Sequence, residues 1–235
     1  MKMNLDLPTS EELSKYLSDI WELLTEEQKV AIRKNGRLYY FKKNEKIYSI
    51  GETPAYLMCL IEGKAKIYRE GIGGKSQIIR MTGTFEYFGY RAYFADEPYQ
   101  TGATAVETSV IYFLPMSVIQ NLINLNNRLA VYFIKALALD LGYSESRTVN
   151  LTQKHIRGRL AESLIFLKNS YGFEEDNMTL NIYLSREDLA NLSNMTAPNA
   201  IRTLSHFVAE HIIIMDGRRI KIVDEERLHK ISQIG

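Results

Sequence analysis

The residues best placed to do chemistry lie between positions 184 and 223, and the chemistry open to them is recognition rather than bond making. Asn199, Arg202, Thr203 and His206 follow one another at i, i+3, i+4 and i+7, the spacing of a single helix face. In the major groove of a duplex, Arg suits the guanine acceptors, Asn suits adenine and Thr suits either. Asn199 and His206 are equally compatible with ordinary solvated positions. Arg218 and Arg219 stand beside Asp216-Gly217, between two β-type runs, which is a strong hairpin signal. A basic hairpin tip suits backbone phosphate, although two arginines also make a soluble turn. The bond-making alternatives are poorly supplied: the four histidines are scattered, and no paired acids or nucleophile elbow is evident. Gly71-Ile72-Gly73-Gly74 is read as a hairpin loop because no helix follows it. An enzyme is not expected.

The elements that must position these side chains can be read around them. Ser185 with Asp188 three residues on resembles a capping box, so a short helix is expected from there. After a tight turn a second helix opens with Thr196 as N-cap and Pro198 in its first turn, and continues to about Glu210. Ala200, Leu204, Phe207 and Val208 form its apolar face. Two short helices joined by such a turn fit a helix-turn-helix, whose second helix enters the major groove N-terminus first. Ser185 and Thr196, at the helix starts, would bring amide hydrogens to phosphates. A hairpin directly after the second helix makes the motif a winged one.

Composition bounds the rest. The 235 residues are 46% apolar and 24% charged, ordinary values for a folded chain of one or two domains. Net charge is +1, and from Lys154 onward eleven basic residues meet eleven acidic ones. Overall charge therefore gives no warrant for nucleic acid, and any basic surface must arise by segregation. The same balance supports an alternative: a ligand-binding or partner-binding protein whose winged domain mediates protein contacts. The apolar runs are too short to cross a bilayer, so no membrane contact is expected. Residues 1–6 lack the apolar stretch of a secretory signal, and the chain is expected to remain in the cytoplasm.

Four zones of periodicity precede and include the motif. The first, to about Asn35, is helical, with Thr25 as N-cap and Gly36 as C-cap. Residues 38–41, 46–48, 56–61, 65–68, 77–79 and 110–113 then read as short strands, a spacing that suggests a barrel or jelly roll. From 117 to about 151 the pattern is helical again, with two apolar lines. Leu129, Phe133, Ala136 and Tyr143 would cover the barrel. Val131, Ile134, Ala138, Leu141 and Thr148 would be left as a homodimer seam, unless both lines are buried within one chain. A helix over 155–167, an acidic loop over 172–177 and the winged motif complete the chain. The expected class is α+β: an N-terminal β-roll of jelly-roll type over 1–115, a long dimerisation helix over 116–151, and a C-terminal winged helix-turn-helix over 152–235. Thr152-Gln153-Lys154 reads as the hinge.

This order of parts resembles the cyclic-AMP receptor protein and fumarate-nitrate regulator (Crp/Fnr) family of bacterial transcription factors, over nearly the whole chain. Residues 184–190 through 201–204 carry the resemblance most specifically. Gly51-Glu52, Ile61-Glu62-Gly63-Lys64, Phe88-Gly89 and Gly158-Arg159-Leu160-Ala161 support it. It implies a homodimer that binds double-stranded DNA, contacts RNA polymerase and answers to a small-molecule effector. Arg202 matches the family's recognition-helix Arg, whereas Ala197 and Pro198 stand where a charged pair is usual, so the family's usual half-site does not transfer. By the same resemblance the effector pocket would include Gly89, Tyr90, Arg91, Gln100, Thr101, Ser144 and Glu145.

Tyr90 and Gln100 replace the Glu and Arg that hold ribose and phosphate in the members that bind cyclic nucleotide, so cyclic AMP is not the expected effector. Arg91 could supply a cation only from another angle. Cys59 is the sole cysteine, which excludes a four-thiolate iron–sulfur cluster and any internal disulfide. It is expected to be a small buried hydrophobe. Haem stays open as a cofactor, with His155, Met58, Met81 and Cys59 as conceivable ligands, although such residues are more often surface or core; no other metal site is expected. Tyr87, Phe88, Tyr90, Tyr93, Phe94 and Tyr99 would either receive a planar effector or fill the space themselves.

Overall fold

A computed structural model describes residues 7–71 and 74–234. Residues 1–6, and Ile72 and Gly73 of the expected hairpin loop, lie outside the described residues. The chain forms two compact units, one from the residues up to Arg69 together with 79–142, the other from 70–78 together with Tyr143 onward.

The first unit opens with α1 (Ser10–Tyr16), α2 (Ser18–Trp21) and α3 (Glu26–Asn35). As the sequence predicts, Thr25 caps α3 by accepting from the Gln28 amide at 3.4 Å, and Gln28 Oε1 accepts from the Thr25 amide at 3.1 Å. Among the described residues, eight strands follow: β1 (Arg37–Phe41), β2 (Lys46–Tyr48), β3 (Tyr56–Glu62), β4 (Ala65–Glu70), β5 (Ser76–Thr82), β6 (Tyr87–Phe88), β7 (Gly102–Ala105) and β8 (Ser109–Pro115). They form two four-stranded sheets, in the orders β1-β8-β3-β6 and β2-β7-β4-β5. In the first, β8 pairs antiparallel with both β1 and β3, placing Tyr112 opposite Leu38 and Cys59.

Strand alternation divides the core. Met58 and Leu60 join Phe41, Phe88, Ile111 and Phe113 in one apolar cluster, while Leu57, Cys59 and Ile61 join Leu13, Ile20, Ile32 and Phe133 in another. Both faces of β3 are thus covered, which is why its sequence is a continuous apolar run rather than an alternating one. Each such large side chain contributes about 1.5–3 kcal/mol by leaving water.

Three features depart from the sequence reading. Strand β7, Gly-Ala-Thr-Ala, lacks the bulk that marks a strand; at its first position Tyr68 packs onto Gly102, where a Cβ would come within 2.8 Å of the ring. Residues 90–94 form a one-turn helix, α4 (Tyr90–Phe94), rather than strand or turn. The helical zone after β8 is broken into α5 (Met116–Leu125) and α6 (Asn127–Gln153) without Gly or Pro. Asn126 makes the break: its side-chain oxygen accepts from the Arg128 amide at 3.1 Å while its Nδ2 donates to Leu23 O at 2.8 Å.

The division between units falls inside α6, between Gly142 and Tyr143, and α6 runs on through Gln153 of the expected hinge. Beyond it come α7 (Ile156–Tyr171), α8 (Arg186–Leu192), α9 (Ala197–Ala209), β9 (Ile213–Asp216), β10 (Arg219–Ile222) and α10 (Glu225–Ile234). The sequence reading assigns no helix to the last of these; Leu228 buries α10, and Lys168 of α7 is paired with Glu225. No described helix is long and apolar enough to cross a membrane.

Candidate nucleic-acid interface

Helix α8 begins at Ser185, whose Oγ accepts from the Asp188 amide at 3.0 Å. The return half of the expected box is changed: Asp188 Oδ2 accepts from Ser185 Oγ, at 2.8 Å, instead of from the Ser185 amide. Leu189, Ala190 and Leu192 bury one side of the helix. The chain reverses through Asn194, whose φ of +50° is a left-handed conformation that Asn tolerates. Thr196 then caps α9, accepting from the Asn199 amide at 3.4 Å, with Pro198 in the first turn. Ala200, Leu204 and Phe207 seat α9 in the core.

What remains outward differs in detail from the sequence reading. Arg202 and His206 are exposed, and Asn199 is half-buried. Thr203 is not part of the row: only 8% exposed, it packs with the apolar face, because the buried arc of α9 is wider than its apolar residues suggest. Val208, assigned to that face, is 38% exposed. Ile201 and Ser205 take outward places that polarity alone could not assign. An exposed aliphatic such as Ile201 is suited to a thymine methyl group. Arg202 Nη2 donates to Asn199 Oδ1 at 2.5 Å, so the two residues present one joined polar group.

The wing is a hairpin in which Asp216 pairs with Arg219. Its two-residue turn is therefore Gly217-Arg218, with Gly217 at φ +56°, not Asp216-Gly217. A third short stretch joins it, with Leu180 N donating to Ile220 O at 2.9 Å. The two arginines differ. Both are exposed, Arg218 at the tip, while Arg219 also lies 5.6 Å over the Tyr183 ring and 3.9 Å from Glu174. Arg218 thus suits phosphate, while Arg219 has a carboxylate and a ring beside it. Sequence reading misses Arg186, which donates from Nη2 to Gly217 O at 2.6 Å and ties the start of α8 to the wing tip. Burial, and then the nearby Arg218 charge, lower the Arg186 pKa. No local pattern reveals a contact to a residue so distant in sequence.

The residues assigned to an effector pocket can be described within each unit separately. Gly89, at φ +87°, precedes α4, and a Cβ there would lie 2.2 Å from Met58 Cε. Tyr99 Oη donates to Gly89 O at 3.1 Å and its ring stacks on Tyr48 at 4.0 Å. Arg91 turns outward to Glu97 at 2.6 Å, Gln100 is exposed, and Thr101 Oγ1 lies 3.5 Å from Tyr48 Oη. Ser144 and Glu145 are exposed on α6 within the other compact unit. The cation among these residues, Arg91, is thus engaged by a carboxylate. The aromatic residues of this region are core: Tyr87 and Tyr90 pack with the helices, Phe88 and Tyr99 between the sheets.

A polar network unseen in the sequence stands beside them. Tyr90 Oη donates to Asp140 Oδ2 at 3.1 Å, and Arg80 Nη1 donates to both Asp140 oxygens at 3.0 and 3.1 Å. Burial, with Asp140 adding to it, pushes the Tyr90 phenol up to about 12. Cys59 is buried, donates to Tyr16 O at 3.3 Å, and has its pKa raised by that burial. Met58 and Met81 are buried, and His155 is exposed as the N-cap of α7.

On α6, Leu129 and Phe133 are buried as the barrel-facing line requires. Tyr143, placed in that line by periodicity, instead is exposed and lies near Phe166 of the second unit at 6.0 Å. Val131, Ile134, Ala138, Leu141 and Thr148 are all exposed within the chain, as are Leu139 and Val149.

Comparison with known proteins agrees with this architecture. Residues 38–126 match the family model described as cyclic nucleotide-binding domain, and residues 158–231 match that of the Crp-like helix-turn-helix domain. The CRP-like cAMP-activated global transcriptional regulator of Mycobacterium tuberculosis is 23% identical over 189 residues, covering 80% of this chain and 84% of that protein. Electron transport regulator A of Shewanella oneidensis is 24% identical over 194 residues, covering 81% and 76%. The structure of FixK2 from Bradyrhizobium japonicum superposes with a TM-score of 0.75 at 20% identity, covering 83% of this chain and 96% of that one. With both matched domains in this order around a long helix, the chain belongs to the Crp/Fnr family of transcription regulators and carries that family's DNA-binding helix-turn-helix.

Proposed function

We propose that the protein acts as a homodimer, reading a pseudo-palindromic site through two copies of α9, and that its signal is something other than a cyclic nucleotide. The observation that carries the first part is the exposed apolar line of α6. Val131, Ile134 and Leu141 are 62%, 66% and 61% exposed, and a helix with such a line gains by covering it with a second copy. Two copies of α9 held by one seam would meet half-sites about one helical turn apart. RNA polymerase is the further partner that the family resemblance implies.

The second part rests on chemistry. Phosphate recognition needs a cation free to pair with it. Here Arg91 is held by Glu97, Arg80 by Asp140, and position 100 is Gln. The Mycobacterium tuberculosis relative is described as cAMP-activated, a property that this reading does not carry over to the present chain.

Selection of bound sequences from a random duplex pool by the purified protein tests the reading. An inverted repeat is expected, with selection unchanged by cyclic AMP. A single unrepeated site, or cyclic-AMP-dependent enrichment, refutes the corresponding half.

A further inference from the structure

Within the second unit, a cavity of about 200 Å³ is lined by Tyr143, Arg147 and Leu151 of α6, Arg159 and Phe166 of α7, and Leu192 at the end of α8. The two arginines have only neutral acceptors. Arg147 Nη2 donates to Ile78 O and Leu192 O at 2.7 and 2.8 Å, and its Nη1 donates to Tyr143 Oη at 3.3 Å. Arg159 Nη1 donates to Leu151 O at 3.1 Å, while its Nε is buried without an acceptor. The carboxylate on the wall, Glu162, is engaged by Lys154 at 3.1 Å and by Asn150. Two guanidinium groups therefore share the cavity with one carboxylate that is engaged by other residues, and one buried donor lacks the acceptor that such groups nearly always have.

The rest of the lining combines the polar Ser146, Asn150 and Ser163 with two aromatic rings and two leucines. The Tyr143 and Phe166 rings lie 6.0 Å apart with 37° between their planes, beside Leu151 and Leu192. The volume falls below the roughly 300–1,000 Å³ typical of sites for drug-sized molecules, so the occupant is small. Guanidinium groups recognise carboxylates through paired hydrogen bonds, and aromatic walls prefer a ring.

We propose that this cavity is a binding site for a small aromatic monocarboxylate, its carboxylate held by Arg147 and Arg159 and its ring by Tyr143 and Phe166. The site stands on its own geometry and does not depend on how the protein reads DNA.

Calorimetric titration of the full chain, without DNA, tests it with benzoate and phenylacetate as probes, phenylacetamide as the uncharged counterpart and inorganic phosphate as the ringless anion. Saturable binding of at least one carboxylate probe is expected, with phenylacetamide and phosphate weaker. Arg159→Gln should weaken the carboxylate by about tenfold or more, the worth of a charge-assisted hydrogen bond. Leu151→Trp keeps both cations, fills the space and should abolish binding, with circular dichroism showing that each variant is folded; Arg159→Lys replaces the Gln variant if that one does not fold. Absence of saturable carboxylate binding overturns the proposal. So does phosphate bound as tightly as the carboxylates, or binding that the folded Leu151→Trp protein retains.

Discussion

Replacing Arg202 and Arg218 by Ala, one at a time, separates base reading from charge attraction on the same surface. Arg202 is exposed, and among the described residues its hydrogen-bond partner is the neighbouring Asn199 on the same helix. Its removal should leave stability within about 0.5 kcal/mol of the parent, as for surface positions generally. If Arg202 reads a base edge, the cost on the preferred duplex is about 1–3 kcal/mol, or roughly 5- to 150-fold in Kd, with little change on a scrambled duplex. Arg218 at the wing tip touches no base in this reading. Without it, both duplexes should bind more weakly and alike, and the dependence of log K on log salt should flatten by about 0.9, the share of a single neutralised phosphate. Fluorescence anisotropy titrations of both duplexes at several salt concentrations measure both quantities. The reasoning is refuted if Arg202→Ala weakens preferred and scrambled duplexes equally, or if Arg218→Ala narrows selectivity without altering the salt slope.

The remaining expectations concern assembly and stability. Ile134→Glu places a charge on the exposed line of α6 and should convert a dimer to a monomer in sedimentation velocity while helix content is retained; a persistent dimer refutes the seam. Asp140→Ala strips Arg80 and Tyr90 of their shared acceptor and should lower urea stability by about 1–3 kcal/mol, whereas Tyr90→Phe, losing one neutral donor, should cost about 1 kcal/mol; equal stability of all three proteins would show the network to be inert. Gly89→Ala forces a side chain into a left-handed backbone against Met58 and should destabilise by more than about 1 kcal/mol in the same assay. Asp176 accepts from the Thr179 and Met178 amides, from Thr179 Oγ1 and from Lys221, which lowers its pKa. A depressed folded pKa means that its stabilising effect is present above the unfolded value of about 3.9 and is lost as pH falls below it. Thermal melts should therefore show a weaker acid dependence in Asp176→Asn than in the parent, and identical profiles would remove Asp176 from the account.

Local signals are strong where a residue acts on its near neighbours. Thr25, Ser185 and Thr196 each announce a helix start through a bond within three residues, so these boundaries can be read from spacing. The long-range pairings cannot. Arg80 and Asp140, or Arg186 and Gly217, carry no mutual pattern in the chain and meet only once the fold has brought them together. Thr203 shows a third kind of failure: polarity puts it on the outward row, but the width of the buried arc decides, and that is a property of the surface α9 packs against. Strand β7 is hidden for the converse reason, since its small residues carry little strand preference and its Gly102 answers to the Tyr68 ring packed on it. Asn126 breaks a helix with a side-chain cap, at a place that no Gly or Pro marks.

The bond from Arg186 to the Gly217 carbonyl has a mechanical meaning. It bolts the finger that would meet the phosphate rail to the first helix of the reading head, so that finger and head share one footing. A displacement of α8 would then carry the wing tip with it. Control of the protein would then be exercised by aiming a finished tool, not by reshaping its edge.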